Sequence, residues 1–361
     1  MKRLVFAVTN DLSYDQRMIR ICTSLSNAGY AVTLIGRRWR KTPPATAQPF
    51  LQKRLFCFFK KGKLSYLEYN LRLFFYVLFI KADAVCAIDL DTILPFYTIS
   101  ALKRIPRIYD AHELFCEMKE VVTRPAVYRM WKAVERFTVP KFKYGYTVNE
   151  PIAQEFCRMY NVQYEVIRNV PVLQPLIIPA KTEKYILYQG AVNEGRSFET
   201  LIPAMQYVNA RLIICGDGNF MQQARQLVQE FNLNEKVIFK GKLLPAELKE
   251  YTGMAWAGVT IFENNGLNNF YSLGNRFFDY LHAGLPQLCV NYPVYQEINN
   301  QHAVAVLIDD LRPETIARGL NELLNNEKLY TFLQQNCLQA RQVFNWQQEE
   351  KKLLSFYKNI L

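Results

Sequence analysis

The stretch FYSLGNRFFDYLHAGLP (residues 270–286) reads as a short amphipathic helix with a polar stripe. Asn275, Asp279 and His282 recur at i, i+4 and i+7 and share one side, whereas Phe277, Phe278 and Leu281 point elsewhere. Ser272 is placed to cap the helix, and Gly284 followed by Pro286 ends it, so the pattern predicts a helix over 273–283. It follows a strand pattern, AGVTIF (257–262), and a loop rich in Asn and Gly, ENNGLNNFYSLG (263–274). Such a strand, loop and helix N-terminus bring backbone N–H groups and the helix dipole to a point that favours an anion such as phosphate. Asp279 lies about six residues past the helix start, roughly 9 Å along the axis. A carboxylate there can accept from the hydroxyls of a sugar attached to that phosphate, ribose being the obvious candidate.

The same rhythm extends in both directions. Apolar runs at 3–8, 31–36, 84–89, 107–112, 144–148 and 164–169 alternate with segments of helical period such as DQRMIRICTSLSNAG, with Gly29 as its C-terminal cap. Six more strand patterns follow at 185–190, 210–216, 236–241, 257–262, 287–291 and 303–308. Between the two series, VPVLQPLIIPAKTEK carries prolines at 171, 175 and 179, which resist both helix and central strand. The expected architecture is α/β, with two Rossmann-like doubly wound domains facing each other across a cleft. Residues 1–170 form the first domain, 171–184 a linker, 185–340 the second domain, and 341–361 a helix that crosses back onto the first. Sites belong at the carboxyl ends of the strands.

A chain of 361 residues with 50% hydrophobic content has enough material for about two cores. Its eight cysteines form no CxxC pair and lie mostly in apolar runs, which fits reduced thiols and a cytoplasmic protein. The N-terminus, MKRLVFAV, lacks the apolar core and cleavage site of an export signal. Residues 1–150 hold 25 Lys and Arg against 12 Asp and Glu, while 151–361 are almost balanced. Much of the excess sits in RRWRK (37–41) and in 51–83, where basic residues alternate with Phe, Tyr and Leu. This mixture suits either a core helix with solvated edges or peripheral contact with the inner face of a membrane. The longest apolar run there, LFFYVLFI, is too short to span a bilayer, and no nucleic-acid-binding signature accompanies the charge.

GNRFFDYLHAGLPQ resembles the signature of a subgroup of family 4 glycosyltransferases, which have the two-domain GT-B fold. Further pieces agree in order along nearly the whole chain: NDLSYDQRMIR (10–20), YDAHELFCE (109–117), IRNVP (167–171), YQGAVNEGRSFETLIPAM (188–205), CGDG (215–218) and VIFKGKLLPAEL (237–248). The resemblance implies a nucleotide diphosphate sugar as co-substrate in the second domain, a glycan or lipid-linked acceptor in the first, retention of configuration, and no metal or other cofactor. Asp279 then matches the acid that holds the ribose, and Arg196 the cation that neutralises the departing diphosphate, a role the chemistry requires. Arg276 matches a second basic position. Ala191 stands where the family commonly has another Arg, and Arg276 is the proposed replacement. Tyr271 stands where many members carry a Glu near the donor sugar, leaving Glu263, Asn268 and Asn269 as candidates to reach it. Asn275, Ser272, Gly274, Gly190, Gly216 and Lys242 complete the expected donor site. His112 matches a histidine near the transferred sugar, with Asp110 and Glu113 as neighbours, and Asn10, Asp15 and Arg17 line the acceptor side.

Asp89 and Asp91 spell a DxD triplet of the kind that holds a metal in glycosyltransferases of another fold. They fall in the first domain, and Asp91 more simply caps the helix that follows. The reading is therefore a hexosyl-type glycosyltransferase of cell-surface polysaccharide biosynthesis. An epimerase acting on the nucleotide sugar, and a catalytically silent partner subunit made credible by Ala191 and Tyr271, are the competing readings.

Overall fold

Thirteen parallel strands in two sheets organise the chain in a computed structural model, which describes residues 1–361 apart from 13, 14, 40, 41, 43, 61 and 182. Arg40, Lys41 and Lys61 of the basic segments, and Thr182 of the expected linker, thus lie outside the described residues. The contacts divide the chain into two units, residues 1–169 with 349–361 and residues 170–348.

In the first unit the strands are β1 (Arg3–Ala7), β2 (Ala31–Arg38), β3 (Leu51–Phe56), β4 (Ala84–Ile88), β5 (Arg107–Ala111), β6 (Tyr144–Thr147) and β7 (Glu165–Val166). Their order is β3-β2-β1-β4-β5-β6-β7. Inner strands such as β4 are buried along their whole length, as a sheet covered on both faces requires. The strand β3 was not anticipated from the sequence. LQKRLF is an edge strand paired only with β2, so it stays partly exposed and keeps Lys53 and Arg54 inside what reads as a basic surface run. The helix Gln16–Asn27 begins at Asp15, whose carboxylate accepts from the Met18 N–H, and ends before Gly29 at φ +92°. The final helix, Trp346–Ile360, sends Tyr357 into this unit, where its hydroxyl lies 3.3 Å from that of Tyr146.

In the second unit β8 (Tyr185–Gln189), β9 (Arg211–Cys215), β10 (Val237–Gly241), β11 (Ala257–Thr260), β12 (Gln287–Val290) and β13 (Ala305–Ile308) run in the order β10-β9-β8-β11-β12-β13. The proline-rich segment packs on this unit: Arg341 donates to the Gln174 carbonyl at 2.6 Å, and Lys181 to the Tyr330 hydroxyl at 2.7 Å. In both sheets the winding reverses direction at one place, between β1 and β4 and between β8 and β11. Because every strand is parallel, all carboxyl ends share one edge of each sheet, and the crevice at the reversal is where ligands of such folds bind.

Candidate functional site

The helix that the opening stretch encodes runs from Asn275 to His282, with a separate turn of helix at Leu267–Phe270 before it. Phe277, Phe278 and Leu281 enter the core of the second unit, each contributing about 1.5–3 kcal/mol by burial. Tyr280 sets the helix against β8: its hydroxyl donates to the Leu187 carbonyl at 3.0 Å and accepts from the Gln189 N–H at 3.1 Å. Room for its ring exists because position 258 is Gly; a Cβ there would lie 2.4 Å from Tyr280.

The expected polar stripe divides. Asn275 is exposed, Asp279 is half-buried, and His282 is buried with Nε2 2.7 Å from the Phe344 carbonyl oxygen. Burial lowers the His282 pKa, so it is a neutral clamp on the chain beyond the second unit's last helix pair. Ser272 does not cap the helix. Gly274 takes that position without a side-chain bond, while the Ser272 hydroxyl donates to the Asn269 carbonyl at 2.9 Å. The Gly274 N–H is itself engaged, donating to the Tyr295 hydroxyl at 2.8 Å.

Around this helix the carboxyl ends of β8 and β9 interlock. Gly190 adopts φ +123°, and a Cβ on Gly216 would lie 1.8 Å from the Gly190 carbonyl oxygen, so both must be glycine. Arg276 lies over the Tyr188 ring with its guanidinium carbon 4.1 Å from the centroid, and its Nη2 would be 3.2 Å from a Cβ at Gly190. Its Nη1 is buried and has no hydrogen-bond partner among the described residues. A buried donor left unpaired costs about 1–3 kcal/mol, more when charged, unless an acceptor arrives. One turn along, Asp279 Oδ2 accepts from Gln189 Nε2 at 3.0 Å, and Gln189 Oε1 accepts from the Thr252 hydroxyl at 2.8 Å. The strand end therefore presents a cation and, next to it, a carboxylate of fixed orientation.

The loops after β8 and β11 join. The Glu263 N–H donates to the Gly195 carbonyl at 3.1 Å, and a Cβ on Gly195, at φ +80°, would be 3.0 Å from Asn265 Nδ2 and 3.8 Å from Glu263 Oε2. Arg196 follows, half-buried, with its guanidinium 5.8 Å from the Phe262 ring centroid. Asn269 Nδ2 donates to the Glu263 carbonyl at 3.1 Å and to Asn265 Oδ1 at 2.7 Å, while Asn268 is buried. Lys242 is exposed just beyond β10. Gly190, Gly216, Arg196, Glu263, Arg276 and Asp279 thus gather at the carboxyl edge of one sheet, while Ser272 and Gly274 are occupied by local bonds.

In the first unit the corresponding edge holds a polar cluster. Arg17 is buried and grips Asp110, donating from Nη2 to Oδ1 at 2.9 Å, and Nη1 reaches the Ile167 carbonyl at 3.0 Å. His112 follows β5, with Nε2 3.2 Å from Asp110 Oδ2 and Nδ1 3.4 Å from Asp89 Oδ2, while its backbone N–H donates to Asp89 Oδ1 at 2.9 Å. Burial alone would lower the His112 pKa, but Asp110 and Asp89 raise it to about 9. The ring is therefore cationic and a proton donor near neutral pH. Burial pushes Asp89 up to about 7 and Asp91 up to about 6. Asp110 stays low: burial opposes this, but the Arg17 and His112 charges outweigh it.

Asp15, expected on the acceptor side, caps the first helix, and Arg17 is buried as an internal partner of Asp110. Asp91 does not cap the following helix; its Oδ2 accepts from the Thr9 hydroxyl at 2.5 Å. Asp89, at φ +52°, belongs with His112. Asn10 is exposed and supplies its carbonyl to the Arg37 N–H at 3.1 Å, and Glu113 is half-buried beside the cluster. No group of three His, Cys, Asp or Glu side chains among the described residues is arranged to hold a metal ion. Sequence reasoning passed over Gln189, Tyr188 and Thr9, and weighed Asp89 only as half of a metal-binding triplet. Their only sequence signal is position, each standing within two residues of the end of a strand.

Residues 177–358 match the family described as Glycosyl transferases group 1. An uncharacterized glycosyltransferase, MJ1607 of Methanocaldococcus jannaschii, is 23% identical over 183 residues, 49% of this chain and 45% of that protein, so the match spans less than half of the relative's length. Among solved structures, the sucrose-phosphate synthase of Thermosynechococcus elongatus superimposes with a TM-score of 0.81 over 99% of each chain at 16% identity. HepE of Anabaena, solved with UDP-glucose, gives 0.76 over 99% of this chain and 100% of its own at 10% identity. These likenesses carry the fold, and with the family match covering half the sequence the conclusion is direct: the chain belongs to the group 1 glycosyl transferases.

Proposed function

We propose that this protein transfers a sugar from a nucleotide diphosphate to a glycan or lipid-linked acceptor in cell-surface polysaccharide biosynthesis, with retention of configuration and without a metal or other cofactor. The second unit takes the donor. The observation that carries this assignment is the buried Nη1 of Arg276, unpartnered among the described residues and set beside Gly190 at the turning point of the sheet. Expelling a nucleoside diphosphate builds negative charge, and Arg276 with Arg196 supplies the cations that stabilise it. Asp279, oriented by Gln189, accepts from the ribose hydroxyls. Glu263, Asn268 and Asn269 take the donor sugar in place of the acid that Tyr271 replaces. His112, protonated near neutral pH, donates a hydrogen bond to the transferred sugar and does not abstract its proton. The first unit receives the acceptor and rests on the inner face of the membrane.

HepE was solved with UDP-glucose, which makes uridine nucleotides the first donors to test. A thermal-shift series with UDP, GDP and their sugars reads binding directly, because a ligand at 100 times its Kd adds about 2.7 kcal/mol of stability. One nucleotide family raises Tm, and Asp279→Ala removes the shift. An Asp279→Ala protein that responds as the wild type does would overturn the ribose assignment.

A further inference from the structure

The geometry points to one surface of the first unit as a bilayer-insertion face: the outer side of the helix Lys63–Phe79 together with the Phe58–Phe59 turn that Glu68 holds against it. This deepens the membrane contact proposed above, and it is independent of which donor the second unit binds.

The helix is apolar on two opposite sides. Tyr69, Leu73 and Val77 point inward and are fully buried. Leu64, Leu67, Leu71, Phe75 and Phe79 recur at i, i+3, i+7, i+11 and i+15, and remain 51–82% exposed. A helix with apolar residues on both sides needs a partner on each, and here the unit supplies one. Seventeen residues place this row along about 25 Å, more than scattered surface leucines require and short of the ~20 residues that would span a bilayer. No helix among the described residues is long and apolar enough to cross a membrane.

Charge identifies the occupant. Between residues 51 and 81 the sequence holds seven Lys and Arg against one acid, Glu68. That acid is consumed internally. Its oxygens accept from the Phe58 N–H at 3.0 and 2.9 Å and from the Phe59 N–H at 3.0 Å, and it pairs with Arg72 at 2.9 Å. The bonds fix the turn so that Phe58 and Phe59 stand 67% and 48% exposed at the start of the row. Exposed Lys60 and Lys63 lie at that end, and exposed Lys81 lies just past the other. An apolar row with a cationic border matches the boundary between acyl chains and anionic headgroups, where a helix lies in the plane of the membrane and its lysines reach the phosphates.

The test is co-sedimentation of the full chain with phosphatidylcholine vesicles, with or without phosphatidylglycerol. Binding is expected to the anionic vesicles and to fall at least about tenfold in Leu67→Ser/Leu71→Ser/Phe75→Ser and in Phe58→Ser/Phe59→Ser. The nucleotide-induced thermal shift of both variants should equal that of the wild type, which separates this surface from the donor site and shows that the variants fold. Wild-type protein that ignores anionic vesicles, or variants that bind them as tightly as it does, would overturn the proposal. So would a wild-type dimer that the triple variant converts to monomer, since the face would then belong to a second copy of the chain.

Discussion

Gln189 Nε2 donates to Asp279 Oδ2 across 3.0 Å, tying the end of one strand to a helix 90 residues further along the chain. Gln189 is nearly inaccessible, and its other amide atom accepts from Thr252, so the whole relay is rigid. Gln189→Leu should fold, because the Thr252 hydroxyl still has the Leu248 carbonyl at 2.7 Å. Losing the restraint on Asp279 is expected to weaken nucleotide binding by roughly tenfold, about 1.4 kcal/mol. Calorimetric titration with the preferred nucleotide diphosphate checks this, and unchanged affinity would show that Asp279 needs no such support.

Gly216→Ala should be severe. Its Cβ would meet the Gly190 backbone oxygen at 1.8 Å, and neither strand end can move without shifting the turn at Gly190. A loss of about 3 kcal/mol or more is expected in a thermal melt, together with loss of nucleotide response. Gly253→Ala is the contrast. In the helix Pro245–Met254 a Cβ there meets only the ring of Pro179 at 3.8–3.9 Å, so stability should hold or rise by up to about 1 kcal/mol.

Arg276→Ala should lower kcat by about a hundredfold or more with a smaller change in KM, because in the proposed reaction the cation acts on charge that develops as the diphosphate leaves. Arg276→Lys should recover only part of this. A lysine keeps the charge but loses the planar stack on Tyr188 and the forked donors. Steady-state kinetics decides, and equal kcat in wild type and Arg276→Ala would remove the residue from the reaction.

The cluster around His112 makes the first unit sensitive to alkali. The His112 pKa lies at about 9 in the fold against an ordinary 6.5, so the folded state holds the extra proton between those values. Its contribution is complete below pH 6.5 and lost as pH rises toward 9. The ring keeps 23% of its surface, so solvent reduces the effect to about 2 kcal/mol. Urea titrations from pH 6 to 9.5 should show this decline in the wild type and a flatter profile in His112→Gln. A wild-type profile as flat as the variant's would contradict the ion pairs with Asp89 and Asp110.

Twelve of the thirteen strands among the described residues are legible as apolar runs, and for inner strands such as β4 burial on both faces leaves a local mark that needs no knowledge of neighbours. The exception, Leu51–Phe56, is a partly exposed edge strand with Lys53 and Arg54 at its centre, so its sequence reads as basic surface. Helical spacing alone places Asp279 about two turns past the helix start, whereas Arg276 is singled out by the resemblance of its segment to a family signature. Local pattern is misleading where a side chain has a choice of partner. Ser272 has the right chemistry for a cap, yet the Asn269 carbonyl takes its hydroxyl; His282 shares a stripe with Asp279, yet Phe344 holds it inside.

What the amino-acid order determined alone is therefore the alternation of strands and helices, the glycines at their ends, and the family. The partners were decided by tertiary structure. Arg17 meets Asp110 at a separation of 93 residues, and Asp89 meets His112 because β4 and β5 are sheet neighbours. The physical reason is range: backbone periodicity is set within a few residues, whereas which charges neutralise one another depends on strand order, and strand order is fixed only when the core closes.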